Sequence, residues 1–223
     1  AINPHIPLDI LVIDDNSPDG TGDIADRLSQ TYPNVHALHR PGKMGLGTAY
    51  VQGFAWATER GYDYIFEMDC DFSHHPRYLP TFLEKIKTSD LVIGSRYVKG
   101  GRTPDWGLMR KFISRGGNTF ARLMLNLKTY DCTGGYRCYR REILEQIPWE
   151  DINLQGYGFQ VSAVYYVEKM GGKVVEFPIV FEDRRVGQSK MSTKIFIEAF
   201  AYVIKMAIQR RFFRPEIPHI RSE

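Results

Sequence analysis

Two carboxylates follow a strongly apolar segment in the first third of the sequence. Asp69 and Asp71 flank Cys70 directly after Tyr62–Met68 (YDYIFEM), a run typical of a buried strand. Carboxylates at this spacing repel each other unless a divalent cation joins them, and hard oxygen ligands favour Mg²⁺ or Mn²⁺. Such a cation can also bridge the oxygens of a diphosphate. A bare Asp-X-Asp sequence is more often a solvated acidic turn, so its surroundings decide between the two interpretations.

A second acidic pair ends an earlier apolar run. Asp14 ends the run Leu8–Asp14 (LDILVID), and Asp15 is the first residue of the turn that follows it. Ligands of open α/β sheets bind at the carboxyl ends of the strands, so both acidic pairs are expected to face one crevice. Carboxylates there can accept hydrogen bonds from a base N–H or a ribose hydroxyl. Lys43 precedes a glycine-rich helix start, where backbone N–H groups and the helix dipole favour a phosphate.

Basic residues are concentrated in two later segments. The first contains Arg96, Arg102, Arg110, Lys111 and Arg115, and the second contains Arg184, Arg185 and Lys190. Guanidinium groups match phosphate oxygens, which favours a site for a second anionic substrate. The alternative for most of these residues is solvated surface charge.

Three further residues near the acidic pair are given structural roles. His74 and His75 precede Pro76 and are predicted to start a helix or to pack rather than to bind metal. Strand alternation turns Cys70 away from the carboxylates, which predicts a core position for it. The sequence contains neither a Gly-X-Ser-X-Gly elbow nor a phosphate loop of the Walker type, which disfavours hydrolase and P-loop functions.

The elements that must position these residues alternate between strand and helix. The pattern predicts strands at 8–14, 35–38, 62–68 and 90–94, and helices at 21–30, 45–60 and 76–87. This order predicts a parallel sheet with right-handed crossovers. Beyond residue 96 we expect a helix at about 108–127, a compact segment at 133–139, helices near Arg141 and Tyr157, a strand at 173–181 and a helix at 193–213.

Size and composition fit one α/β domain. The chain has 223 residues, and its net charge of +3 is too small to indicate nucleic-acid binding. Its three cysteines form no Cys-X-X-Cys pair, which favours free thiols in a reducing compartment such as the cytosol. There is neither a signal-peptide pattern nor a run of about 18 apolar residues of the kind that spans a membrane.

Seven segments resemble the family 2 glycosyltransferases, and most closely their dolichol-phosphate (polyprenol-phosphate) mannose synthases. They are VIDDNSPDGT (12–21), GLGTAY (45–50), EMDCDFSHHP (67–76), GSRY (94–97), RKFISRGGN (110–118), DCTGGYRCYR (131–140) and EDRRVGQSKM (182–191). The resemblance covers nearly the whole chain in order. It implies a GT-A-like fold, in which a Rossmann-like, mainly parallel sheet is flanked by helices.

The resemblance also implies roles for particular residues. Asp69 and Asp71 would hold Mg²⁺ or Mn²⁺ on the diphosphate of GDP-mannose, and Asp14, Asp15 and Lys43 would serve the nucleotide. Positions near the acceptor phosphate or the donor diphosphate are matched by Arg96, Arg110, Ser114 and Arg184, and Lys190 is a further position for the acceptor phosphate. The residues counted as catalytic are Asp69, Asp71, Arg96 and Arg110. The partners would then be GDP-mannose, a polyprenyl phosphate and the cytosolic face of a membrane.

Two departures from the family pattern lead to further expectations. The family begins with a strand that carries a Pro-Thr-Tyr-Asn-Glu type of motif, and nothing similar precedes Leu8, so the first strand is expected to be missing. We expect a catalytic domain over residues 1–192, followed at 193–223 by an amphipathic helix and tail of the same domain that could lie on a bilayer. A separate membrane-anchoring subunit or domain would then complete the assembly.

Inverting transfer through direct attack of the lipid phosphate on the anomeric carbon is the mechanism that the resemblance implies. Because the nucleophile is already anionic, alignment of the substrates and neutralisation of the leaving diphosphate matter more than a strong base. Two alternatives stay open at this point. One is a polyprenyl-phosphate glucosyltransferase that uses UDP-glucose, and the other is a non-catalytic protein that binds sugar nucleotides.

Overall fold

The structure is a computed structural model that describes residues 7–152, 158–183 and 193–212, with side chains described only from 197 to 209 in the last of these ranges. The strands are β1 Ile10–Asp14, β2 Val35–His39, β3 Tyr64–Glu67, β4 Leu91–Ser95, β5 Arg137–Arg140 and β6 Val174–Pro178. The helices are α1 Thr21–Thr31, α2 Leu46–Glu59, α3 Leu79–Ile86, α4 Leu108–Leu125, α5 Arg141–Leu144, α6 Gly158–Lys169 and α7 Thr193–Phe212. Short 3-10 turns lie at Pro76–Tyr78 and Trp149–Asp151.

The strands form two sheets. β1 and β2 pair in parallel, and the other strands form a sheet in the order β3-β5-β4-β6. β4 and β6 are parallel, whereas β5 runs antiparallel to both of its neighbours, β3 and β4. The predicted α/β architecture is therefore confirmed, with a mixed rather than purely parallel second sheet.

β4 is a fully buried interior strand of the second sheet. All five of its residues are buried, and the first three side chains alternate between two apolar clusters. Leu91 and Ile93 belong to the larger cluster, which packs beneath α2, α4, α6 and α7, while Val92 belongs to the smaller one, beneath α3. Successive side chains of a strand point to opposite faces. Because both faces of β4 are buried, its apolar residues are consecutive in DLVIG (90–94).

β1 is less buried than its sequence indicates. Ile10 is 37% exposed, and only Asp14 at the end of the strand is buried. Among the described residues β1 pairs with β2 alone. Helix α2 packs closely on it, since a Cβ at Gly53 would come within 2.9 Å of Ile13 Cδ1. Glycine at this position allows α2 to approach the strand.

α7 packs on the rest of the fold with one side and exposes apolar residues on the other. Val203 and Met206 are buried in the larger cluster, and the rings of Phe120 and Phe200 stack at 3.7 Å. Ile197, Ile204 and Ile208 are exposed. Among the described residues, none of the helices combines the length and the apolar character that crossing a bilayer requires.

Candidate active site

The loop that follows β3 carries both carboxylates of the Asp-X-Asp sequence. The Asp69 backbone N–H donates to Nδ1 of His74 at 2.9 Å, and the Asp69 carboxylate accepts from the Tyr50 hydroxyl at 3.3 Å. Asp71 Oδ1 accepts from the backbone N–H and the hydroxyl of Ser73, at 3.1 and 2.5 Å. Phe72, between Asp71 and Ser73, has φ +68°, a left-handed conformation that non-glycine residues rarely adopt. Such strain is typical of loops shaped for a ligand.

The donor set of this loop fits a divalent cation that shares its coordination with a substrate. Among the described residues no three His, Cys, Asp or Glu side chains converge as in a closed metal site. Two carboxylates are what Mg²⁺ commonly takes from a protein when phosphate oxygens and water supply the other ligands. Asp69 and Asp71 are the residues that would hold such an ion.

His74 is a buried, neutral element of the same loop. It is 3% exposed, and burial lowers its pKa despite the nearby carboxylates of Asp69 and Asp71. Because Nδ1 accepts a hydrogen bond, the proton of the neutral ring lies on Nε2. His75 accepts from the backbone N–H of Arg77 and caps the turn at Pro76–Tyr78, so its predicted helix-start role is confirmed.

The predicted core position of Cys70 is wrong. Its side chain is exposed. β3 already ends at Glu67, so the alternation of a strand does not extend to residue 70.

Asp15 and Asp14 have different surroundings. Asp15 forms a two-pronged ion pair with Arg40, at 2.5 and 2.7 Å, and the guanidinium also donates to Thr48 at 2.8 Å. Asp14 is 5% exposed and accepts from the Ser17 backbone N–H at 3.2 Å, and hydrogen bonds from Ser17 lower its pKa. Its Oδ1 is buried without a hydrogen-bond partner among the described residues. Asp14 lines a polar cavity of about 370 Å³.

The first turns of α2 join the two acidic pairs. Thr48 contacts Arg40, the partner of Asp15, while Tyr50 contacts Asp69. Asp15, through Arg40, and Asp69 therefore border the same end of α2, whereas Asp14 faces α1 and His39. Lys43 lies just before this helix and is exposed.

Arg96 is held by a buried carboxylate. Asp131, fully buried, accepts from the backbone N–H, Nε and Nη2 of Arg96 at 2.9, 2.8 and 2.6 Å. Nη2 also donates to the Thr133 hydroxyl at 2.9 Å. Glu176 in turn accepts the backbone N–H of Asp131 at 2.9 Å. The orientation of Arg96 is thus set before any ligand binds.

Arg110 and Ser114 lie on the first half of α4. Arg110 pairs with Asp183 at 2.8 Å and stacks over Trp106, with its guanidinium carbon 4.0 Å from the ring centroid. The Ser114 hydroxyl accepts from the Tyr97 hydroxyl at 2.5 Å. It also lines an apolar cleft of about 80 Å³ between α4, α6 and α7.

Aromatic side chains connect the acidic loop with the arginines. Phe181 packs edge to face on His74 and on Trp106, with centroid distances of 5.5 and 5.6 Å. The guanidinium carbon of Arg96 lies 5.6 Å from the Phe181 centroid. The acidic loop (residues 69–74), through His74, and the arginine cluster (Arg96 and Arg110), through Arg96 and Trp106, therefore both approach the ring of Phe181.

A buried polar layer underlies the acidic loop. The fully buried guanidinium of Arg137 donates to the backbone oxygens of Gly134, Cys132 and Gln160 at 2.7, 2.8 and 2.9 Å. Its Nε lies 3.4 Å from Oε1 of Glu67. Burial raises the pKa of Glu67 to about 8, against the opposing effect of Arg137.

Sequence reasoning missed the partners of the candidate residues. Arg40, Asp131 and Asp183 pair with Asp15, Arg96 and Arg110 across 25, 35 and 73 positions of the chain. Nothing in the local spacing indicates such pairs. Arg184 and Lys190 lie outside the described residues.

Comparison with known proteins gives consistent matches. A family profile described as Glycosyl transferase family 2 matches residues 2–148. The undecaprenyl-phosphate mannosyltransferase of Micrococcus luteus is 48% identical over 92% of this chain and 84% of its own length. The polyprenol monophosphomannose synthase of Mycolicibacterium smegmatis is 44% identical over 92% of this chain and 78% of its own length.

Solved structures share the fold at low sequence identity. Glucosyl-3-phosphoglycerate synthase from Mycobacterium tuberculosis, crystallised with Mn²⁺, UDP-glucose and phosphoglyceric acid, superposes with a TM-score of 0.63 at 16% identity. The match covers 88% of this chain and 68% of that one. This similarity confirms the predicted GT-A-like architecture.

We predict that Asp131→Asn lowers the free energy of unfolding by about 3–5 kcal/mol at pH 7, because it leaves Arg96 buried without its counter-charge. Burial alone would raise the Asp131 pKa, but Arg96 outweighs burial and holds it below the ordinary 3.8. Stabilisation by a group whose pKa is lowered on folding is present above the unfolded-state value and is lost as the pH falls through the folded-state value.

Urea denaturation of both proteins from pH 8 to pH 3 tests this expectation. The difference between the free energies of unfolding of the parent and Asp131→Asn should stay constant above pH 5, about one unit above the unfolded-state pKa. It should become smaller only at the acid end of the range. Asp63→Asn is the matched control, since Asp63 is 74% exposed in its 3.5 Å pair with Arg141 and should change stability by less than about 1 kcal/mol. An equal decrease in the free energy of unfolding in Asp131→Asn and Asp63→Asn would contradict a larger contribution from the buried Arg96–Asp131 pair.

Proposed function

Because this chain belongs to glycosyl transferase family 2, we propose that it transfers mannose from GDP-mannose to a polyprenyl phosphate, with inversion at the anomeric carbon and with Mg²⁺ or Mn²⁺ as cofactor. The observation that carries the proposal is the meeting of an acidic loop and an arginine cluster around Phe181. A cation-dependent diphosphate site and an anion site have to face each other when one phosphorylated substrate attacks another.

On the donor side, Asp69 and Asp71 would hold the cation, which when bound neutralises the departing diphosphate. Asp14 and Asp15 would orient the nucleoside. The unpartnered Oδ1 of Asp14 supports a hydrogen bond to a base N–H or a ribose hydroxyl, since buried acceptors are rarely left unpaired. Lys43 and the N-terminus of α2 would add positive potential near the phosphates.

On the acceptor side, Arg96, Arg110 and Ser114 would bind the lipid phosphate. Arg184 and Lys190 complete the proposed set, outside the described residues. The phosphate needs no deprotonation by a strong base, so these residues orient the nucleophile and balance its charge. The apolar cleft beside Ser114, lined by Phe120, Phe200 and Val203, suits the chain of a lipid better than a soluble sugar acceptor.

A membrane-facing surface is part of the same proposal, because the acceptor is a lipid. Leu108, Met109 and Phe112 at the start of α4 are 85%, 71% and 77% exposed, and the basic residues Lys111 and Arg115 lie beside them in the helix. A helix with apolar and basic residues exposed together can bind an anionic bilayer in the interface plane. Together with the exposed side of α7, it would dock the protein on the cytosolic face of a membrane, with or without a separate anchoring subunit.

Full-length protein is expected to form mannosyl-phosphoryl-polyprenol from radiolabelled GDP-mannose and a short polyprenyl phosphate in the presence of Mn²⁺. Asp71→Asn should lower kcat/KM about 100-fold or more, because one anionic ligand of the leaving diphosphate's cation is lost. Thin-layer analysis of the labelled lipid measures the product. Preferred use of UDP-glucose would favour the glucosyltransferase alternative, and binding of both donors without any labelled lipid would favour a non-catalytic protein.

Arg110→Ala should raise the KM for polyprenyl phosphate about tenfold and leave the KM for GDP-mannose unchanged, as expected for the loss of one charge-assisted hydrogen bond. Initial rates with one substrate varied at a time measure both constants. Arg122→Ala is the matched control, because Arg122 lies on the same helix and also stacks on a ring, 3.9 Å from the centroid of Tyr130. An unaltered acceptor KM in Arg110→Ala would remove Arg110 from the acceptor site.

Charges introduced on α4 should weaken membrane binding. We expect the double variant Met109→Glu and Phe112→Glu to lower the partition coefficient on phosphatidylglycerol vesicles about tenfold or more, since each large apolar side chain contributes about 1.5–3 kcal/mol when buried. Co-sedimentation measures the bound fraction. Ile24→Glu, at a 49% exposed apolar residue of α1, is the control that should bind normally. Equal binding by the double variant and the parent would assign the membrane contact elsewhere.

A further inference from the structure

The segment after β6 is fixed by backbone hydrogen bonds on two sides. The Ile179 N–H donates to the Ser95 oxygen at 3.0 Å, next to Arg96 in the chain. The Arg102 N–H donates to the backbone oxygen of Ile179 at 3.0 Å, and the Phe181 N–H donates to the backbone oxygen of Arg102 at 2.9 Å. The backbone of Phe181 is therefore tied to the end of β4 and to the loop that leads to α4.

The ring of Phe181 contacts both halves of the candidate active site. It meets the ring of His74 at an interplanar angle of 74°, and Nδ1 of His74 accepts the backbone N–H of Asp69. It also meets the ring of Trp106 at 75°, and Trp106 lies under the guanidinium of Arg110. A single side chain thus lies between the residue that braces the acidic loop and the residue that supports an arginine.

We propose that Phe181 is a positioning residue that sets the separation between the acidic loop and the arginine cluster, and thereby the alignment of the two phosphorylated substrates. This inference rests on the proposed function, because it assigns those substrates to the two clusters. Phe181 acts through His74 and Trp106.

Edge-to-face contact requires a flat ring, which gives the proposal a specific chemical signature. The positive edge of one ring meets the negative face of the other, so an aliphatic side chain of similar volume fills the space without fixing the angle. His74 is 3% exposed and Trp106 7% exposed, so neither has room to compensate without moving its own loop. A displacement of about 1 Å between reacting groups can lower a rate about 100-fold.

A structural role and a positioning role predict different results. Loss of packing alone lowers thermal stability and leaves turnover of the folded enzyme intact. Loss of alignment lowers kcat while both KM values stay near those of the parent, because each substrate still finds its own cluster. Substitution by tyrosine keeps the ring and should restore turnover, whereas substitution by leucine should not.

The experiment compares the parent, Phe181→Leu, Phe181→Tyr and Phe177→Leu in steady-state transfer assays with GDP-mannose and a short polyprenyl phosphate. We expect Phe181→Leu to lower kcat about 30- to 100-fold and Phe181→Tyr to stay within about threefold of the parent. Phe177 is the control because it is a phenylalanine of β6, four residues before Phe181, whose ring packs on Phe82 at 4.8 Å, inside the smaller apolar cluster. Phe177→Leu should lose stability and keep its kcat.

A second measurement needs no turnover. Mn²⁺ bound at the acidic loop relaxes the ³¹P nucleus of bound geranyl phosphate by an amount that depends steeply on their separation, and Phe181→Leu should change this relaxation where Phe177→Leu does not. Unchanged kcat and relaxation in Phe181→Leu, or equal losses in both leucine variants, would overturn the inference. A parent enzyme that transfers no mannose but shows the relaxation change in Phe181→Leu would overturn only the proposed donor and leave the positioning role supported.

Discussion

Charge that is buried has to be paired, and this constraint determines how the segments around the site are held together. Arg137 is fully buried and directs its donors at the backbone oxygens of Gly134, Cys132 and Gln160. The cost of leaving any of these groups unpaired in a low-dielectric interior is high. One side chain therefore joins β5, the glycine loop before it and α6. Glu67 lies 3.4 Å from the same guanidinium, opposite Arg137 in the β3–β5 ladder, so the end of β3 packs against the same buried group.

The need to pair charge also accounts for the contacts of the two arginines at the candidate site. Arg96 and Arg110 each have an aspartate partner, Asp131 and Asp183. A guanidinium in such a pair loses little further side-chain entropy when a ligand arrives, and preorganised dipoles are worth more than mobile ones. Pairing also lowers the net charge of the cluster. Recognition of an anion there depends on the directions of N–H groups more than on the sum of the charges.

The sequence predicts the positions of the buried strands well, and their exact ends and long-range partners poorly, for physical reasons. Asp69 and Asp71 follow a short apolar run, and the period of a buried strand is local information. The antiparallel strand β5 was missed because RCYR is short and contains two arginines, one of which, Arg137, is fully buried. Arg137, for example, is buried only because Glu67 and three backbone oxygens meet it in space. Cys70 was misplaced because the strand ends three residues earlier, and strand ends are set by tertiary contacts.

Residues that hold the site together and residues that would bind ligands are close neighbours in this fold. Tyr50 and Thr48, two positions apart on α2, contact Asp69 and the Arg40 partner of Asp15. Asp131 is held by Glu176 through its backbone while its carboxylate holds Arg96. Asp69, Asp15 and Arg96 are thus each braced through one or two contacts by a helix or strand, which is the arrangement that keeps a binding geometry rigid. In such a layout a change at a supporting residue reaches the site through one intermediate side chain, and the alignment of two substrates is more sensitive to it than the binding of either alone.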